Sequence, residues 1–351
     1  RADLTPKLDG EGDDPEAGRF PGLRLAGYSK HIGTVASGVN DPLSVRAVAF
    51  SVGDRRVVFV GMDLLLVPPE VAARLRGDVL PKLGLTGDDL FLAATHTHTA
   101  PGGWYPGLAG YLIGGRYRPG LVTWMTRQAE TAIRDALADL KPATIATATA
   151  SVPELTWNRN RKSAEPVDGG LFGLAIRQTG GRSAVIGSYG AHPTTRGAHD
   201  LRISGDYPGV WERTMESRGY DLALFMVGAV GGQSINSRNA TDGKTEAVGE
   251  YLADRSVRAL ADAPLQSRAP LVTTSVSLPL PPGQLRIGSE IVLREWVLRA
   301  ALDLPTEARI DAFRIGDAIF FGAPCDYSGE LAAPLRRELA ARGFDAVGTS
   351  F

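Results

Sequence analysis

Short apolar runs, each ending in glycine, proline and polar residues, alternate along this chain with longer segments of helical periodicity. Arg56-Val-Val-Phe-Val-Gly-Met62 and Leu90-Phe-Leu-Ala-Ala94 are apolar on successive residues, which suits strands buried on both faces. Between them, Pro68 to Leu80 reads as a helix with prolines at its start. Leu121 to Leu140 is amphipathic and is stopped by Lys141-Pro142, because proline disfavours helical geometry in the residue before it. Strand-like segments follow near 143–150, 171–177 and 183–189, then a helix after Asp206 and a strand at Leu222 to Val227. A helix over Glu246 to Ala261, strands near 270–278 and 308–322, a helix near 329–342 and a last strand complete the series. The alternation predicts an α/β fold: a single large domain over 1–351 with a central mixed sheet, helices on both faces and the active site at strand C-terminal ends.

Composition narrows the class. With 351 residues, the chain buries a core large enough to need no disulfide staples. Its 43% hydrophobic and 22% charged residues are those of an ordinary globular protein. A formal charge of −1 supplies no global basic field, so no nucleic-acid partner is expected. The single cysteine, Cys325, excludes a disulfide framework and any multi-cysteine metal site. No apolar run approaches the ~18 to 20 residues of a membrane span, so no transmembrane segment is expected. No signal peptide is visible after Arg1, and both ends read as trimmed. Neither compartment nor oligomeric state follows from these features.

Glycine, proline and polar residues concentrate at 99–120, 157–170, 190–209 and 228–242, each after a strand. Ligands in open α/β sheets bind at such strand ends, so chemistry is sought there. Two of the five histidines stand in Thr95-His96-Thr97-His98, directly after a buried strand. Residues two apart on a strand share a face, so both imidazoles can enter one cleft and ligate zinc. The competing reading is a polar loop whose histidines bond to carbonyls. Amidohydrolase barrels and metallo-β-lactamases also use His-x-His, although the latter follow it with Asp-His and this chain with Thr99-Ala-Pro-Gly-Gly103. His192, in Tyr189-Gly-Ala-His-Pro-Thr194, has the same strand-end context. His31 and His199 lack it and read as loop residues.

Gly228-Ala-Val-Gly-Gly-Gln-Ser-Ile-Asn236 follows another strand. Its glycines let backbone approach a ligand, but it is neither a phosphate loop nor a Gly-x-Ser-x-Gly elbow. Asp326, just after Ala318-Ile-Phe-Phe-Gly-Ala323, can close a metal site or help to start the next helix.

Taken in order, these segments resemble the neutral/alkaline non-lysosomal ceramidase family. The resemblance is closest in Ala94-Thr-His-Thr-His-Thr-Ala-Pro-Gly-Gly103. It extends through Arg1-Ala-Asp-Leu-Thr-Pro6, Ala26-Gly-Tyr28, Val57 to Asp63, Asn158-Arg159, Ala191-His-Pro193, Ser204-Gly-Asp206 and Ala323-Pro-Cys-Asp-Tyr-Ser328. It implies a zinc ion held by His96, His192 and Asp326, with His98 and Arg159 beside it. Asp326 falls where the family has a glutamate, so the backbone must come closer or the coordination must change. The family's ligand tyrosine falls past Phe351. Gly231-Gly-Gln-Ser-Ile-Asn236 keeps the serine and asparagine of the family's loop but loses its aspartate and proline.

The resemblance thus implies a zinc-dependent hydrolase of an N-acyl amide. His98, Arg159 and Ser234 are the catalytic candidates, with Gly231, Asn236, Trp104 and Tyr105 binding a small-molecule or lipid-like substrate and Trp157 adding to the aromatic lining. It also implies a secreted or periplasmic setting. The segment from Ser237 to Phe321 is shorter than in typical members, and their immunoglobulin-like C-terminal domain has no counterpart. These departures favour a substrate smaller than ceramide. Two alternatives stand beside this reading: the same metal site acting on a different amide, a lactam or an ester, and a non-catalytic binding protein on the same fold.

Overall fold

A turn at Gly53-Asp54, with Gly53 at φ +58°, folds Ser44–Val52 back onto Arg55–Met62 as an antiparallel pair. The computed structural model describes residues 1–160, 168–236, 245–288, 291–302 and 305–350. The parts of the expected loops at 161–167 and 237–242 lie outside the described residues. Leu90–Ala94 joins Arg55–Met62 in parallel, and Ala2–Asp3 adds to the far edge. A second sheet has the order Leu222–Val227, Ser183–Tyr189, Gly170–Gln178, Ala143–Ser151, its first pair parallel and the rest antiparallel. In the third, Leu271–Pro279, Glu307–Ile315 and Ala318–Ala323 run antiparallel, and Asp345–Ser350 is parallel to Ala318–Ala323.

The mixed pairing and the enclosing helices are those the sequence implies. The sheet they enclose is divided, however, and its parts share one core. Val57, Phe59 and Phe91 of the first sheet meet Phe172, Leu174 and Ile186 of the second and Phe313, Phe320 and Val347 of the third. That contact explains why these strands are apolar on both faces. The outer face of the first sheet is covered by α1 (Pro69–Arg74) and α3 (Pro119–Ala138). The outer face of the second is covered by α4 (Asp206–Ser217) and α5 (Thr245–Ala261).

Local chemistry accounts for the differences in detail. The helix expected over 68–80 is α for one stretch only, then π-helical over Leu75–Val79 and 3-10 over Leu80–Leu83. Gly77 weakens the helix and Pro81 lacks an N–H for it. The expected strand over 308–322 is a hairpin turning at Gly316-Asp317. An eight-residue helix, α2 (Gly107–Gly114), occupies part of the expected loop 99–120, hidden from propensity by its glycines. No helix among the described residues is long and apolar enough to cross a membrane.

One buried ion cluster ties the first sheet to α4. Arg46 Nη1 lies 3.1 Å from Asp63 Oδ2 and 2.5 Å from Glu212 Oε2, and all three residues are buried. Asp63 also accepts from the Ser44 N–H, and Glu212 from the Phe225 N–H. Burial pushes both carboxyls upward, and Arg46 opposes that shift. Arg46→Met therefore leaves two buried carboxylates without their cation. It should cost about 3–5 kcal/mol in urea unfolding at pH 7, and the deficit should shrink as pH falls and the carboxylates protonate. An undiminished urea midpoint would contradict this account.

Candidate metal centre

Three strand ends deliver the site, one from each sheet, and each of these strands has a parallel neighbour. Leu90–Ala94 leads through Thr95 to His96, Ser183–Tyr189 to His192, and Ala318–Ala323 to Asp326. Thr95 N–H still pairs with the Met62 carbonyl, and then the chain turns abruptly at His96, whose φ is +61°. That region is costly for a residue with a Cβ, so surrounding contacts must hold it.

The orienting contacts are backbone carbonyls. His96 Nδ1 lies 2.6 Å from the Leu65 carbonyl. His192 Nδ1 lies 3.0 Å from that of Val230 and 2.9 Å from that of Gln233. A carbonyl only accepts, so each Nδ1 carries the proton and each Nε2 presents a lone pair to the cleft. His98 is placed differently. An added Cβ on Gly27, at φ +107°, would sit 2.7 Å from His98 Nδ1, so only glycine lets the backbone press this ring into place. Tyr28 packs on the same ring at 4.9 Å between centroids.

The donor atoms converge. His96 and His98 present Nε2 atoms 3.3 Å apart. Asp326 Oδ1 lies 3.5 Å from His96 Nε2, and Oδ2 lies 3.4 Å from His192 Nε2. Ligand atoms of the three histidines all fall within 4.8 Å of one another. Two ligands about 2.0–2.1 Å from a tetrahedral zinc stand about 3.3–3.5 Å apart. Three donor pairs thus stand about one edge of such a tetrahedron apart, and the two carbonyl-held imidazoles are in the ligating tautomer. The residues fit a divalent metal.

Electrostatics agree with neutral His96 and His98 rings facing an ionised carboxylate. Burial, with His192 adding to it, lowers His96 to about 4, and burial with its two neighbouring imidazoles carries His98 well down. Burial works against ionisation of Asp326, yet its neighbours His192, His96 and Arg159 hold it below the usual carboxylate range. Arg159 Nη2 donates to His192 Nε2 at 3.1 Å. A metal would take that lone pair and turn Arg159 loose beside the cleft.

The remaining expected residues divide. The strand Gln233–Ile235 pairs with Thr156–Asn158, which sets Ser234 opposite Trp157, and Ser234 also bridges to His192. Asn236 N–H donates to the Leu155 carbonyl, and Tyr105 is half-buried against the first core. Gly231 does not offer its N–H to a substrate, because that group donates to the Tyr327 carbonyl at 2.7 Å. An added Cβ there would lie 2.5 Å from the Asp326 carbonyl oxygen, so this glycine brings the aspartate backbone close. Trp104 does not line the cleft either: it is 2% exposed, packed in the core, with its indole N–H on Pro101. His31 is fully buried in the turn Ser29–His31, contrary to the loop expected, whereas His199 is exposed near Lys30. Leu65, Val230 and Gly27 act through backbone, which leaves little signature in residue type.

Residues 10–226 match the family described as "Neutral/alkaline non-lysosomal ceramidase, N-terminal". Among solved structures, the neutral ceramidase from Pseudomonas aeruginosa is similar, with TM-score 0.78 and 18% identity over 99% of this chain and 66% of that one. A ceramidase complexed with C2 gives TM-score 0.79 and 17% identity over 99% and 67%. The chain therefore spans about two thirds of the length of these relatives. No protein of curated function matches it.

The depressed histidine implies a pH dependence of known sign. The unfolded chain protonates His96 near its ordinary 6.5 and the folded protein only near about 4. Stability carried by the neutral ring is complete above about pH 6.5 and is lost as pH falls toward 4, by roughly 3 kcal/mol. Urea unfolding of metal-free protein across this range should show the loss, and His96→Gln should flatten it. A profile equally steep in that variant would contradict the assignment.

Proposed function

Since this chain belongs to the neutral/alkaline non-lysosomal ceramidase family, we propose that it is a zinc-dependent hydrolase that cleaves an N-acyl amide with water, releasing a carboxylic acid and an amine. The observation that carries this reading is the convergence of the His96, His98, His192 and Asp326 donors on one cleft. His96, His192 and Asp326 are the proposed ligands, and the close approach of Gly231 to the Asp326 backbone compensates for the shorter carboxylate. Bound zinc would lower the pKa of its water toward neutrality and polarise the acyl carbonyl.

The chain's own groups supply orientation and charge. His98 stands against the ligands with its ring held by Gly27 and Tyr28. Arg159 donates toward the oxyanion of the acyl carbon once His192 no longer engages it. Ser234, placed opposite Trp157, is the proposed hydrogen-bonding partner of the scissile group and not a nucleophile. The carbonyls of Leu65, Val230 and Gln233 keep both ligand imidazoles in one tautomer throughout.

Metal analysis with a screen of N-acyl amides and esters tests this reading. One zinc per chain with amide turnover, lost on chelation and restored by zinc, is expected. Zinc without turnover of any compound would leave a binding protein on this fold. Ser234→Ala should lower kcat/KM by roughly 100-fold and keep stoichiometric zinc; loss of zinc in that variant would contradict its role.

Substrate size follows from the short segment between Ser234 and Asp326. Burying a long acyl chain gains about 0.8 kcal/mol per methylene only where apolar walls receive it. With Trp104 committed to the core, a smaller or more polar N-acyl compound is the expected substrate. A steep rise of kcat/KM with acyl length up to long-chain ceramide would overturn that expectation.

A further inference from the structure

The two halves of the site are connected by a short turn that touches neither imidazole. Ser204 carbonyl accepts from Thr97 Oγ1 at 2.8 Å and from Thr99 Oγ1 at 3.1 Å, and Ser204 N–H returns a bond to the Thr99 carbonyl. The hydroxyls flanking His98 are thereby fastened to one carbonyl. On the other side, Asp206 Oδ1 accepts from Thr195 Oγ1 at 2.6 Å and Oδ2 from the Arg196 N–H at 3.1 Å. Tyr207 hydroxyl donates to the Ala191 carbonyl at 2.6 Å, so the stretch around His192 is gripped on both flanks.

The turn itself is rigidly held. Asp41 accepts from Ser204 Oγ and from the Gly205 N–H, and Ser204 Oγ accepts from the Asp206 N–H. Asp206 is 1% exposed with φ +54°, in the region that disfavours a side chain. His96 and Asp206 are the non-glycine residues with positive φ among the described residues, and this network ties them together. A strained, buried carboxylate with four protein donors has a geometric task.

We propose that Ser204-Gly205-Asp206 is the spacer that sets the separation of His96 and His192, with Asp206 a positioning residue for both. The proposal rests on the zinc reading above. Zinc tolerates donor displacements of only about 0.2 Å, and loss of an outer-shell support typically weakens metal binding by about 10- to 100-fold.

The test measures zinc dissociation constants by chelator competition, with kcat, KM and thermal midpoint, on the full chain. Asp206→Ala should weaken zinc binding by about 10- to 100-fold. Asp206→Asn should recover most of it, because asparagine tolerates positive φ and keeps one acceptor oxygen. Should Asp206→Ala fail to fold, the near-isosteric Thr97→Val and Thr195→Val decide. Each should weaken zinc binding severalfold and lower kcat more than it raises KM, and the double variant should lose less than the product of the two. Wild-type zinc affinity in folded threonine variants, or full additivity in the double, would overturn the spacer. If the wild-type protein binds no zinc, the functional reading fails by itself. Crystal structures of wild type and Thr195→Val then decide the spacer: His96 and His192 centroids held at 4.8 Å in both overturn it, and wider separation in the variant supports it.

Discussion

Five phenylalanine rings from three sheets make the contact on which the rest of the molecule depends. Phe59 meets Phe91 at 5.1 Å, Phe313 at 5.5 Å and Phe320 at 4.9 Å, and Phe320 reaches Phe172 at 5.5 Å. Most of these pairs are edge-to-face, a geometry worth about 0.5–1.5 kcal/mol per pair beyond the area buried. Because the rings lock the sheets in one relative placement, the strands that leave the cluster end near one another. Thr95-His96, Ala191-His192 and Cys325-Asp326 are therefore neighbours by consequence of packing. No local motif could place His96 and His192, from two sheets, within 3.5 Å of one carboxylate from a third.

The site treats charge differently from the ion cluster at Arg46. There, two buried carboxylates are tolerated because one guanidinium bridges them. In the cleft, burial keeps the His96 and His98 imidazoles neutral, and the acid that faces them keeps 42% of its side-chain surface in water. One arrangement welds a sheet to a helix. The other leaves lone pairs directed at a common point, which suits a cation entering from the open side.

Much of this was legible from residue order. Strands such as Leu90–Ala94 and Leu222–Val227 announce themselves because both faces are buried; the His-x-His pair stands at the end of the first, and Asp326 follows Ala318–Ala323. Ser44–Val52 escaped because Arg46 and two serines interrupt its apolar pattern, and Arg46 is inside only by virtue of partners far away in sequence. Trp104 and Gly231 carried the opposite error. Residue type made one an aromatic wall and the other a ligand loop, whereas the core claims the indole and the Asp326 backbone claims the glycine. The carbonyls that fix the imidazole tautomers belong to ordinary apolar residues, so they become visible only once the chain is folded.

The two left-handed residues give the molecule an asymmetry in what change it can accept. At position 206, glycine would relieve the backbone but surrender the whole set of acceptor bonds; at position 96 it would relieve the backbone and remove a donor. Selection for stability alone would erode both sites, since each residue holds a conformation its own side chain resists. A lineage released from the need for this cleft should drift to glycine there first, long before its aromatic core records the loss. The pair therefore serves as a gauge of retained function that can be read from any related chain.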